Sequence, residues 1–262
     1  MSATSPIKCP PSPFPKLNFI GLSLTLLAVL FILYDNKEEI VRNLSLVQGN
    51  YDKYLVAPDF SVKVIKQITS YFIDTIEIAF LGTLLGAVIA LPLSLLASDM
   101  GGVAFVTSLA RVFLAFVRSI PLIFYGYIIT KFFGLGVVSG IIAVMIYSLG
   151  ILSKQFIDEI ANLDDTVAHS VMSTGAGRFQ VFWYGLLPEL LPNFLAFSLL
   201  RFEINIREAS ILGVVGAGGI GILLMQYGSM PPYNKLWTLI VFFFIVVVAI
   251  EILCRWTIKA TK

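Results

Sequence analysis

Apolar runs close to the length of a bilayer crossing constrain this chain more than any other feature. They fall at 17–34, 73–97, 106–132, 137–152, from Pro188 or Pro192 to Asn205, and 236–258. A helix needs roughly 20 apolar residues to cross the hydrocarbon core, and in lipid only a helix or a closed barrel satisfies its own backbone. Composition agrees: 58% of residues are hydrophobic and 13% charged, with a mean hydropathy of +0.90, against about 25% charged in a soluble domain. The expected fold is an all-α polytopic membrane protein of about six transmembrane helices.

The first run follows Lys8 and Lys16 like a secretion signal, but it is too long for a signal core and lacks a small-residue cleavage site, so it reads as a retained anchor after a tail at 1–16. Segment 35–70 mixes Lys37, Arg42, Lys53, Lys63 and Lys66 with Asp35, Glu38, Glu39, Asp52 and Asp59. An even number of spans puts both termini on one side. The uncompensated Lys8, Lys16, Arg255, Lys259 and Lys262 make that side cytoplasmic by the positive-inside rule. Segment 35–70 is then periplasmic, residues 71–258 form the main transmembrane domain, 259–262 are a cytoplasmic tail, and the polar stretch 154–186 faces the cytoplasm.

Within the second run, Gly82 and Gly86 form a GxxxG spacing that permits close helix approach, and Pro92 predicts a kink. Arg118, Ser119 and Pro121 lie near the middle of the third run, where Pro121 could break the helix and move Arg118 to an interface. In the polar stretch, Asp164 or Asp165 can cap a short helix over 167–174 that Gly175 ends. A second short helix then carries Phe179, Phe182 and Trp183. Spacing alone is compatible with a rigid element that docks on a soluble partner and with an ordinary interfacial loop.

Arg201, Glu203, Arg207 and Glu208 cluster at the end of the fifth run. Charges at membrane depth line a cavity or pair with one another. Glu203 and Arg207 have the spacing and order of a helical ion pair, which favours a structural pair at the outer interface over a lining role. Gly216, Gly218 and Gly221 match a dinucleotide-binding spacing, but no acidic residue follows at the required distance and the context is membrane. A tight turn or close packing is the better reading.

Several classes of function are excluded or disfavoured. Net charge is +2, which makes no case for nucleic acid. Cys9 and Cys254 stand near opposite ends and His169 is the only histidine, so neither a disulfide framework nor a histidine metal site is expected. There is no phosphate-binding G-x-x-x-x-G-K-[ST] motif, so ATP is not expected on this chain. Asp74 and Glu77 are the only close acidic pair in a span, a poor basis for an intramembrane enzyme. An ion-driven secondary transporter would usually show internal repeats and broken helices in matching halves, and no repeat is evident.

Three segments resemble the permease subunit of a phosphonate- or phosphite-type ABC importer, in the binding-protein-dependent permease superfamily. They are Arg118-Ser119-Ile120-Pro121; the stretch from Thr174-Gly175-Ala176-Gly177-Arg178 to Leu187-Pro188; and the stretch from Arg201 through Arg207 to Gly213 and Gly216–Gly221. The resemblance spans roughly 58–258. It implies the type I importer permease fold with a cytoplasmic coupling helix, and a homodimer of permeases with two cytoplasmic ATPases and a periplasmic binding protein. It also implies an inner-membrane location, with ATP held by the ATPase and no cofactor on this chain. His169, Ser173, Thr174, Gly175, Ala176 and Arg178 are the implied ATPase-coupling residues, although His169 stands where the family usually has Glu. Arg118, Ser119, Pro121, Arg201, Arg207, Gly216 and Gly218 are candidates for the translocation path. The expected cargo is a phosphonate, phosphite or related phosphorus oxyanion; the alternatives are another small solute carried by the same superfamily, or ion-driven transport.

Overall fold

A computed structural model describes residues 15–49, 56–98, 104–163, 170–177, 180–229 and 231–261. The chain divides into two compact units, residues 1–55 and 56–262. The first holds α1 (Pro15–Asp35) and α2 (Lys37–Gly49). They join at Asn36, whose backbone N–H donates to Ile32 O (3.1 Å) and whose carbonyl accepts from Ile40 N (2.9 Å). Part of the mixed-charge segment 35–70 is therefore helical.

The second unit contains α3 (Val62–Ala97), α4 (Ala104–Ser119), α5 (Leu122–Phe133), α6 (Val137–Ala161), a π-helical turn (Val181–Leu186), α7 (Leu187–Leu212), a 3₁₀ turn (Gly213–Val215), α8 (Gly221–Gly228) and α9 (Asn234–Thr261). Helix α3 has 36 residues and so begins well before the apolar run, taking Lys63 and Lys66 into its first turns. Helix α6 likewise runs past the apolar run to Ala161, where Lys154 pairs with Asp158 one turn on.

The third apolar run is broken. Helices α4 and α5 meet at an angle of 89°, because a proline at 121 removes a backbone donor and bars its predecessor from helical geometry. The break is braced by Tyr125, whose hydroxyl donates to Val117 O at 2.7 Å.

By length and composition, α3, α6 and α9 can each cross a membrane among the described residues, and the bent pair adds a fourth if it acts as one span. Helix α7 has 26 residues, about 39 Å, but its charges keep it out of that set. The six expected segments are all helical, and among the described residues length, apolarity and low charge together mark these as spans.

Helices α3 and α6 run parallel. A Cβ on Gly82 would lie 2.6 Å from Val144 Cβ, and one on Gly86 2.8 Å from Met145 O, so glycine is what admits this approach. Without water to drive burial, such close packing and interhelical hydrogen bonds carry membrane helix association. Helix α7 returns antiparallel: Phe194 stacks on Phe156 of α6 at 3.8 Å between ring centroids, and Asn193 bonds Glu159 at 2.5 Å. Helix α9 follows the direction of α3, as Phe72 meets Phe242 near the start of both. Consequently the 170–177 segment and the end of α9 share one end of the unit. The Gly134–Gly136 and Gly213–Gly221 turns share the other.

Candidate functional site

Three places gather the polar and backbone-special residues. The first is the surface turn after α6. Among the described residues, 170–172 are helical and Gly175 ends the turn with φ +84°. Its N–H reaches Met172 O at 2.9 Å. Ser173 and Thr174 turn their hydroxyls back to Ser170 O and Val171 O, both at 2.7 Å. Gln180 Oε1 then accepts from Gly177 N at 3.0 Å. Ser173, Thr174 and Gly175 are exposed and Ala176 is half-buried. Short side chains tied to their own backbone give a stiff projecting corner. His169 and Arg178 lie outside the described residues, as do Asp164, Asp165 and Phe179. The expected second short helix is instead the π-helical turn, continuous with α7, with Phe182 buried and Trp183 exposed.

The second place is the polar core of α7. This helix continues to Leu212, so Arg201–Glu208 lie inside it rather than at its outer end. Asn205 is fully buried and donates from Nδ2 to Thr83 Oγ1 of α3 (2.6 Å) and Ser148 Oγ of α6 (2.8 Å). Ser148 lies near the middle of α6, which places this cluster at mid-span. Arg201, only 5% exposed, bonds Glu208 at 2.6 Å and stacks over the Tyr147 ring at 4.8 Å. On the opposite side of α7, Arg207 Nη2 meets Glu203 Oε1 at 2.8 Å. Its Nη1 stands 3.8 Å from Glu251 Oε2 of α9, and the other oxygen of Glu251 holds Arg255 at 2.6 Å. Within this cluster three arginines face three glutamates, so their charges offset one another.

The third place is the glycine turn at the other end. Gly216, Gly218 and Gly219 all have positive φ, from 76° to 87°. Gly216 O accepts from Gly136 N at 3.0 Å, and Thr75 Oγ1 of α3 accepts from Ile220 N at 2.8 Å. The loop is thus a folded-back plug against α3 and α6, with no strand among the described residues to make a nucleotide fold. Arg118, Ser119 and Pro121 are exposed at the α4–α5 break. The backbone of Arg118 packs on Gly150, two residues along α6 from Ser148.

The structure therefore brings Arg201 and Arg207 onto one helix but onto different faces, and leaves Gly216 and Gly218 a half-span away. Sequence reasoning misses Asn205, Tyr147, Thr83 and Ser148 as site residues. A lone polar residue in an apolar run gives no sign of its partner on another helix. The Arg201–Glu208 pair is two turns apart on one face, a spacing that the sequence does display.

The family model for "Binding-protein-dependent transport system inner membrane component" matches residues 82–261. Among curated relatives, the phosphate-import permease protein PhnE of Mycolicibacterium smegmatis is 31% identical over 182 residues, covering 69% of this chain and 34% of that protein. The putative phosphite transport system permease protein HtxC of Stutzerimonas stutzeri is 30% identical over 193 residues, covering 72% and 68%. The chain thus spans about a third of the length of that PhnE and about two-thirds of HtxC. Among solved structures, a chain of the inward-facing MetNI methionine ABC transporter superposes with TM-score 0.69 at 21% identity, covering 78% of this chain and 100% of that one. At that identity the likeness speaks for the fold alone.

Proposed function

The chain belongs to the binding-protein-dependent transport system inner membrane components, and from that membership we propose that it is the permease subunit of an ATP-driven importer of phosphonate, phosphite or a related phosphorus oxyanion. The observation that carries the transport reading is the neutralised charge cluster at mid-span on α7, among helices long and apolar enough to cross a membrane. Buried ionisable groups at that depth are expensive and mark pathways. The names of the relatives PhnE and HtxC support the cargo.

On this reading two copies enclose the path in the inner membrane, with both termini cytoplasmic. The corner at Ser173, Thr174, Gly175 and Ala176 inserts into one of two cytoplasmic ATPases, which hold the ATP; His169 and Arg178 are the further coupling candidates in the sequence. A stiff corner suits the task, because a soft loop would absorb the movement it must transmit. A periplasmic binding protein delivers cargo at the end carrying the Gly134–Gly136 and Gly213–Gly221 turns. Arg118, Ser119, Pro121, Arg201, Arg207, Gly216 and Gly218 are the candidates along the path.

The test is reconstitution with the cognate ATPase and binding protein, identified by co-purification with this chain. Proteoliposomes should take up labelled phosphite, methylphosphonate or phosphate only with ATP and the loaded binding protein. Uptake without ATP, or uptake of none of these anions, would refute the reading.

A further inference from the structure

Arg201 and Arg207 are differently placed to meet a passing anion. Arg201 is enclosed: its side chain is 6% exposed, bonded to Glu208 and covered by Tyr147. The Arg207 side chain is 43% exposed. It stands on the outward stripe of α7 formed with Leu200, Ile204 and Ile211, all exposed, at the alternating four- and three-residue intervals of one helix face. Arg207 is the polar member of that stripe, at the depth of the Asn205 cluster.

A guanidinium on an exposed face at mid-span is costly against lipid and is expected against water or a partner. Its partners also leave capacity. One nitrogen is committed to Glu203 at 2.8 Å. Of the two terminal nitrogens, the second, Nη1, is 3.8 Å from Glu251, beyond a hydrogen bond, and that carboxylate is already held by Arg255. Planar guanidinium donors suit tetrahedral oxyanions.

We propose that Arg207 is the specificity-determining contact for the oxyanion as it passes mid-span, kept oriented by Glu203 and presenting its second nitrogen to the path. This rests on the oxyanion-importer reading above. Glu203 is the positioning residue, and of the two path candidates on α7 Arg201 is the one enclosed by Glu208 and Tyr147.

The experiment uses the reconstituted complex with phosphite, methylphosphonate and inorganic phosphate as probes. Arg207→Gln alone strands a buried carboxylate, so the deciding variant is Glu203→Gln/Arg207→Gln, which removes the pair and leaves Glu251 with Arg255. It is expected to assemble and hydrolyse ATP on binding-protein docking, while uptake falls about tenfold or more, the scale of one lost charge-assisted bond. Uptake at the wild-type rate by the assembled double variant would overturn the assignment. If the double variant does not accumulate, Arg207→Lys decides, because it keeps the cation and the pair but loses the fork. Altered preference among the three anions with several-fold slower uptake supports the proposal, and unchanged rate and preference overturn it. If the wild-type complex carries none of the three, the cargo reading fails and the role of Arg207 falls with it. If it carries them and the variants do too, only Arg207 is reassigned.

Discussion

Gly213 and Gly221 lie so close that a Cβ on Gly213 would fall 2.5 Å from the Cα of Gly221. The chain leaves α7, folds back through Gly216–Gly219 and starts α8 against its own point of departure. Both residues are buried, and the obstacle to a side chain is backbone, which cannot rotate away. Because Gly213 has φ −60°, alanine there meets no conformational penalty and any loss is steric.

Gly213→Ala is therefore expected to destabilise the protein by about 1–3 kcal/mol, the cost of overpacking, seen as a lower thermal midpoint in detergent. Gly228→Ala, with open space around its Cβ, should stay within about 0.5 kcal/mol of wild type. Equal midpoints for the two variants would contradict this close approach.

The Asn205 cluster predicts a non-additive series. Asn205→Leu buries Thr83 and Ser148 without the amide that both accept from, and should cost about 1–3 kcal/mol. Adding Thr83→Val and Ser148→Ala removes the two hydroxyls that have lost their donor, of which Thr83 still bonds Ala79 O at 2.6 Å, so the triple variant should regain part of that loss in the same melting assay. A triple variant that melts below Asn205→Leu would refute the network.

At the surface corner, Gly175 has φ +84°, but among the described residues, its chain neighbours aside, no atom lies within 4 Å of the point a Cβ would occupy. Substitution there tests backbone conformation alone. Gly175→Val should add about 1–2 kcal/mol of local strain, whereas Gly175→Asn, which tolerates the left-handed region, should be mild. The expected readout is an inserted Val variant that co-purifies less ATPase, with the Asn variant near wild type. Equal recovery of ATPase would remove the corner from the coupling role.

The two ends of the unit can be assigned by labelling. In a background carrying Cys9→Ser and Cys254→Ser, Leu135→Cys sits exposed at the end bearing the glycine turns, and Ser173→Cys at the opposite end. An impermeant maleimide applied to spheroplasts should label the first and reach the second only after permeabilisation. The reverse pattern would invert the proposed orientation.

The fold class was legible in the chain because the bilayer leaves a long apolar run one backbone solution, and six such runs each became helical. The Glu203–Arg207 spacing also displayed its pairing, since contacts within one helix follow from its period. Boundaries were less legible. Helix α3 begins at Val62 and α7 ends at Leu212, because polar residues continue a helix wherever their charges find partners. Tertiary structure alone decided that Asn205 would meet Thr83 and Ser148, that Arg207 would lean toward Glu251, and that Arg201 would lie enclosed by Tyr147 while Arg207 stayed exposed. Hydropathy reports how a segment partitions between water and lipid. Which face of α7 turns to a neighbour is set by side-chain packing against helices distant in the chain, and no local period records it.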